Sequence, residues 1–294
     1  MRVAVATCAS EVDPDSDLLV AALADLGVSG ELCAWDDPRV DWEDFELTVV
    51  RSTWDYASRR DEFLTWARSV SRLANPYRVL EYSSDKHYLF DLAARGYAVV
   101  ASRVAAVGEE PDFPSGDFVV KPCVGAGSID ADRYRADELE RAAAHVASLH
   151  ARGRDVLIQP YVGSVDEVGE TALIFIGGEF SHAMNKAAML NEPASTRDRL
   201  YREKRMSVAS APASARALAE GVLAEVEAEL ATSAVDALVP ALTYGRVDVV
   251  ATESGWAVME LELVEPSLFL RYDGAAAAKL AAAIVRRAIA VSVS

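Results

Sequence analysis

The sequence predicts an α/β and α+β chain that begins with an N-terminal open α/β domain. Strand-like and helix-like patterns alternate through residues 1–84, an apolar run over Phe118–Lys121 opens into a glycine loop, and two β-like runs meet at Gly177-Gly178, a hairpin signal.

Taken in order, Arg2–Thr7 alternates as a strand. Asp15–Leu26 sets Leu18, Leu19, Ala22, Leu23 and Leu26 on one helical face, with Gly27 as a stop. Cys33–Trp35 and Leu47–Arg51 read as short strands, and Arg59–Leu73 as an amphipathic helix. Ligands of open α/β sheets sit at the carboxyl ends of strands, which draws attention to the loops Cys8–Asp13 and Ser52–Tyr56. A helix over Lys86–Arg95, capped by Ser84 and stopped by Gly96, opens the next stretch. Strand Val99–Arg103, a Pro/Gly loop over Gly108–Gly116, the Phe118 strand, helix Ala136–Arg152 and strand Val156–Gln159 follow. Ala172–Ile176 and Glu179–Met184 form the hairpin, Asn191–Ser210 reads as a mobile loop, and Ala213–Thr232 as a helix. Two more strands and a helix over Gly274–Val291 complete the chain, with expected domains at 1–84, 85–154 and 155–294.

A net charge of −17 argues against nucleic acid or an anionic membrane as partner, because phosphate backbones require a surplus of lysine and arginine. The opening residues lack a signal-peptide pattern, and no window reaches about 18 uncharged apolar residues. The cysteines Cys8, Cys33 and Cys123 are odd in number and lack metal spacing, and no histidine shows such spacing either; reduced thiols in a cytoplasm are expected.

Two segments carry chemistry. Lys121 ends a buried strand and leads into Gly125, Gly127 and Ser128. Backbone N–H groups of such a loop can turn onto a phosphate while the lysine adds a point charge; the alternative is a plain strand and glycine turn. The second segment is Tyr244–Val250 followed by Trp256–Pro266. Strand alternation puts Arg246 with Asp248, and Glu260 with Glu262, on one face each. A three-residue loop at Glu253–Gly255 would set Asp248 opposite Glu260, whereas a four-residue loop would set it against Met259. With the shorter loop, Asp248, Glu260 and Glu262 converge and require a cation, for which oxygen-only ligands suit Mg²⁺ or Mn²⁺. The alternative is the wet face of an amphipathic strand.

In this order, these motifs resemble the ATP-grasp family, in the style of glutathione synthetase and D-alanine–D-alanine ligase, over about residues 84–270. The resemblance implies an ATP-grasp fold with a pre-ATP-grasp α/β domain ahead of it. It implies that Lys86 and Lys121 meet ATP phosphates, that the loop Val124–Ser128 closes over them, and that Gln159, Tyr161 and Val162 form the hinge whose backbone meets adenine. Glu170 then contacts the ribose, Lys186 stands near the transferred phosphate, Arg246 stabilises charge during transfer, and Asp248, Glu260 and Glu262 hold the metal. Glu262 departs from the family's usual asparagine, and Ala172 from a frequent arginine. The implied activity is an ATP-dependent carboxylate–amine ligase that works through an acyl phosphate on a small-molecule carboxylate; a homodimer is left open.

Substrate choice is expected from Arg51, Ser52, Thr53 and Asp55, where a guanidinium can meet a carboxylate and Asp55 an ammonium, and from Ser267 in the turn after the metal ligands. Trp54 and Tyr56 alternatively only pack the domain interface. Arg197, Arg199 and Arg202 offer further cations for an acidic substrate. The Arg51–Tyr56 loop resembles a bacterial subgroup that includes the cycloserine-forming O-ureido-D-serine cyclo-ligase. Intermolecular ligation and a catalytically silent nucleotide-binding regulator remain the alternatives.

Overall fold

A computed structural model describes residues 1–9, 13–188, 206–230 and 238–293. The chain opens with β1 (Arg2–Thr7), α1 (Ser16–Asp25), β2 (Ser29–Ala34), β3 (Leu47–Ser52) and α2 (Arg60–Ser69). The strands form a parallel sheet in the order β2-β1-β3. α2 ends before the expected Leu73 because Val70 turns extended and the chain then pairs with Thr48, whose N–H donates to Arg72 and whose carbonyl accepts from Ala74.

Helices α3 (Tyr77–Ser83) and α4 (Tyr88–Ala94) replace the single helix expected over Lys86–Arg95. Ser84 ends α3 instead of capping α4: its hydroxyl donates to the Glu81 carbonyl, one helical turn back. β4 covers Arg103–Ala105, not Val99–Arg103, since residues 98–100 are occupied by Val258 on a distant strand. β5 (Phe118–Pro122), β6 (Asp132–Tyr134), α5 (Leu139–His150) and β7 (Val156–Pro160) follow. The four strands form an antiparallel sheet, β4-β7-β5-β6, so β7 belongs with the strands before it.

The rest of the chain contains α6 (Ser164–Val168), β8 (Glu170–Ile176), β9 (Glu179–Lys186), β10 (Met206–Ala209), α7 (Ala213–Leu230), β11 (Tyr244–Thr252), β12 (Gly255–Glu262) and α8 (Ala276–Ser292). Its antiparallel sheet runs β10-β9-β8-β11-β12. Gly177 and Gly178 both take positive φ, 62° and 82°, as a two-residue hairpin turn requires. Of the segment read as a mobile loop, 191–205 lies outside the described residues together with its arginines, and Met206–Ala209 is a strand paired with β9.

Both faces of the five-stranded sheet are covered. Leu173, Phe175, Val247 and Leu261 pack under α4 and α7. Ile174, Ile176 and Tyr244 pack with α8 and the N-terminal sheet. The open edge of β12 is sealed by side chains: Ser83 accepts from Leu263 N and donates to Leu261 O, and Tyr88 accepts from Leu261 N. No helix among the described residues is long and apolar enough to cross a membrane.

Asn75 locks the N-terminal domain to this sheet. Its buried amide donates to the carbonyls of Tyr244 (2.9 Å) and Leu263 (2.8 Å), and its oxygen accepts from Thr243 N (2.9 Å). Asn75→Ala strands three buried backbone groups and is expected to cost about 3 kcal/mol; urea unfolding followed by circular dichroism, with an unchanged slope and a lower midpoint, checks this.

Candidate active site

A single cleft runs between the two antiparallel sheets and reaches the N-terminal domain. Lys86, Lys121, Gly125, Gly127, Ser128, Gln159, Tyr161, Val162, Glu170, Lys186, Arg246, Glu260, Glu262 and Ser267 all line it. Asp248 lies just beneath, fully buried.

The acid wall comes from the β11–β12 register. Asp248 pairs with Glu260 and Arg246 with Glu262. This is the pairing expected from a three-residue loop, but the route differs. The strands are joined through Glu253-Ser254 with Thr252 opposite Gly255, and a bulge at Met259 supplies the shift of one residue. A bulge flips the facing of everything beyond it, so Glu260 and Glu262 join Asp248 on the cleft face. Their ligand oxygens lie within 4.8 Å of one another.

Cations hold these acids in place. Arg246 grips Asp248 in a bidentate pair, Nε to Oδ1 at 2.8 Å and Nη2 to Oδ2 at 3.0 Å, and also contacts Glu262. Its Nη1 donates to the Ser267 carbonyl at 3.1 Å. Lys186 reaches from β9 across β8 to Asp248 at 2.7 Å and also meets Glu170 at 2.9 Å. Ala172 lies opposite Asp248 on the intervening strand, and its small side chain leaves that path open. Lys121, from the other sheet, meets Glu260 at 2.9 Å. Burial opposes ionisation of Asp248 and Glu260, yet Arg246 and Lys186 hold the first, and Lys121 and Lys86 the second, below the usual carboxylate range. Burial, with Asp248 and Glu260 adding to it, raises Glu262 despite Arg246.

Three acids offering only oxygen fit a hard divalent cation. Asp248 already accepts three hydrogen bonds, whereas Glu260 and Glu262 each engage only one oxygen with a protein cation. Glu260 and Glu262 therefore offer the more open ligand atoms. A second grouping, Asp85, His87 and Cys123, is not visible in sequence spacing; burial pushes its thiol up to about 12.

The opposite wall offers positive charge and backbone N–H donors. Lys86 Nζ donates to the Gly125 carbonyl at 3.0 Å, and burial lowers its pKa. Gly127 and Ser128 take φ of 62° and 59°, which turns the loop back on itself. Among the described residues, the N–H groups of Gly125, Ala126, Gly127 and Ser128 make no hydrogen bond to the protein. Arg154 tethers the loop at both ends, through the Val124 carbonyl and Asp130. Further along, the Gln159 amide is turned away onto Ser102, so only its backbone faces the cleft.

The expected substrate loop is corrected by the structure. Arg51, Ser52, Thr53 and Asp55 do not line the cleft. Arg51 is 2% exposed, donates to the Pro266 carbonyl at 3.1 Å and lies 3.6 Å from Asp13. Ser52 and Thr53 are buried, and Asp55 accepts from Trp35 Nε1 and Arg59. Trp54 and Tyr56 line the cleft instead. Glu265, which the sequence marks only as the start of the turn that ends in Ser267, also lines the cleft. His182 packs, with Nε2 against the Leu268 carbonyl. Phe269 holds a left-handed φ of 52° beside Arg246, a conformation that strains a bulky residue and recurs at functional sites.

With the site described, its relatives can be set beside it. Residues 3–75 match the family described as the N-terminal domain of D-cycloserine synthetase DcsG. The cycloserine biosynthesis protein DcsG of Streptomyces lavendulae is 39% identical over 294 residues, covering 94% of each chain. The crystal structure of D-cycloserine synthetase DcsG superposes with a TM-score of 0.88 at 36% identity, covering 98% of this chain and 100% of that one. D-alanine–D-alanine ligase of Bacillus anthracis, complexed with ATP, superposes at 0.64 with 15% identity, over 98% and 97% of the two chains, a likeness of fold.

The depressed Asp248 pKa sets a pH test. Ionised Asp248 stabilises the fold above its ordinary value of 3.8, and that contribution is lost as pH falls below 3.8 through the lower folded value. Without divalent metal, Asp248→Asn should be less stable than wild type by about 3 kcal/mol at neutral pH. Urea unfolding should show the gap closing as the medium is acidified below 3.8.

Proposed function

The chain belongs to the DcsG family of ATP-grasp ligases, and we propose on that premise that it is an ATP-dependent C–N ligase of cycloserine biosynthesis that activates the carboxylate of O-ureido-D-serine and closes the ring on the substrate's own nitrogen. The observation that carries this reading is the opposition of two walls in one cleft: Lys86, Lys121 and the unpaired N–H groups of the glycine loop on one side, Glu260 and Glu262 above Asp248 on the other. A triphosphate needs donors and positive charge along one flank and carboxylates for its metal along the other.

The same reading divides the chain into an N-terminal substrate domain over 1–84, a central lobe from 85 through β7 to 160, and a C-terminal lobe beyond it. The adenine lies at the hinge, against Tyr161 and the Val162 N–H, which makes no hydrogen bond among the described residues. Glu170, at the start of β8, is near enough to the hinge for the ribose. Asp248, Glu260 and Glu262 would hold Mg²⁺ or Mn²⁺, and the bound ion supplies charge neutralisation on the phosphates.

A substrate carboxylate oxygen attacks the γ-phosphorus, the bond to the bridging oxygen breaks, and ADP leaves behind an acyl phosphate. A nitrogen lone pair then attacks the acyl carbon, phosphate departs with its oxygen, and the nitrogen gives up a proton. Arg246 and Lys186 face the space where negative charge moves; both are fixed before substrate arrives, so no reorganisation is needed at the moment of transfer. Burial opposes the charge on Lys186, but Asp248 and Glu170 keep it a cation.

With Mg-ATP, O-ureido-D-serine should elicit ADP and phosphate release, and mass spectrometry should find the cyclised product; a mass equal to two joined substrates would favour intermolecular ligation. Glu260→Gln should lower turnover by roughly 10³-fold with an unchanged circular dichroism spectrum. Undiminished turnover would remove Glu260 from the site.

A further inference from the structure

One acid of the cleft has no side-chain partner among the described residues. Glu170, Glu260 and Glu262 meet Lys186, Lys121 and Arg246 respectively. Glu265 also lines the cleft and is 6% exposed, yet among the described residues its carboxyl meets no side chain and takes only its own backbone N–H. Arg246 and Arg51 act on it electrostatically but are engaged elsewhere, Arg246 by Asp248 and Glu262 and Arg51 by the Pro266 carbonyl and Asp13. The Tyr56 hydroxyl is in the same condition. It is 5% exposed, lines the cleft and makes no hydrogen bond among the described residues. Burial raises its pKa first and Glu265 second, which places the two groups in each other's field.

Burying an acid and a hydroxyl without partners is unfavourable, so a pair that faces a cavity in this state is suited to a ligand that satisfies both. Burial and then Glu262 push Glu265 up to about 8, against the opposing pull of Arg246 and Arg51. Glu262 beside it disfavours a phosphate or a carboxylate there. A primary ammonium fits: it brings three donors and the missing charge, and the Trp54 ring stands in the same wall. The position also fits. Glu265 follows the acids Glu260 and Glu262 on the chain, and Arg246 donates to the carbonyl of Ser267 just beyond it. A group held at Glu265 therefore lies beside the transfer centre.

Resting on the ligase reading above, we propose that Glu265 and Tyr56 form the subsite that receives the α-ammonium of the substrate whose carboxylate is phosphorylated. Glu265 is then a specificity residue: it selects the molecule to be activated and takes no part in phosphoryl transfer.

The test pairs two enzymes with two carboxylates. Wild type and Glu265→Gln are assayed for initial ADP formation with O-ureido-D-serine and with 3-(ureidooxy)propanoate, the same molecule without its amine. Wild type should prefer the amino acid by roughly 10²-fold in kcat/KM, and Glu265→Gln should lose most of that preference through KM for the carboxylate, with KM for ATP unchanged. Tyr56→Phe, which removes only the hydroxyl, should lose part of it. A general loss of folding or catalysis lowers both substrates alike and leaves the ratio intact. The same preference retained in both variants would overturn the inference alone. So would a Glu265→Gln enzyme that forms ADP normally but fails to release cyclised product, since that places the residue at the nucleophile. ADP formation by wild type on neither compound would overturn the ligase reading and the subsite with it.

Discussion

Charge compensation across the β11–β12 pair organises this molecule. Asp248, Glu260 and Glu262 share one face of the sheet, and like charges so close are tolerated only with cations among them. Arg246 stands between Asp248 and Glu262, Lys186 arrives from β9, and Lys121 comes from the other antiparallel sheet. The Lys121–Glu260 pair joins residues 139 apart in sequence, so the pair also fixes where one lobe stands relative to the other. Breaking any buried pair of this kind leaves a charge without compensation, which costs far more than the pair contributes when intact.

Around that array, the N-terminal domain acts as a frame. Asn75 holds Thr243 and Tyr244 at the start of β11 and Leu263 just past the end of β12, and Tyr244 returns a hydroxyl to the carbonyls of Val50 and Val264. Arg51 holds Pro266, and Asp15 holds Leu270 N and Arg271. The turn from Val264 to Arg271 is thereby pinned at several points, with Glu265 and Ser267 presented to the cleft and Phe269 kept in its left-handed conformation. A rigid support of this sort is what lets a few side chains hold a reacting molecule in one pose.

Much of this was legible in the sequence, and the exceptions have physical reasons. Alternation and β-branching exposed most strands of the three sheets but missed β6 and β10 and misplaced β4, and Gly177-Gly178 marked a hairpin because only such residues take two successive positive φ angles easily. The Lys121 loop and the acids of β11 and β12 were visible as chemistry at fixed spacing. The bulge at Met259 was not, since a bulged methionine looks like any other strand residue and is betrayed only by pairing. Ser84 was misread because a serine hydroxyl serves either end of a helix boundary, and the Glu81 carbonyl decided which. The polar residues at the end of β3 were expected to face solvent or ligand; Asp13, Pro266 and Trp35 captured them instead, and no local pattern announces partners so distant. Glu265 was legible only as the start of the turn that ends in Ser267, because nothing in the local pattern gives the acid itself a role.

The opposed walls are tested most directly by anomalous X-ray scattering from crystals grown with manganese and ADP. Manganese should lie on the carboxylates of Glu260 and Glu262, with the ADP phosphates between it and the Gly125–Ser128 loop. Manganese bound away from these acids, or phosphates resting outside the space between Lys121 and that loop, would contradict the arrangement.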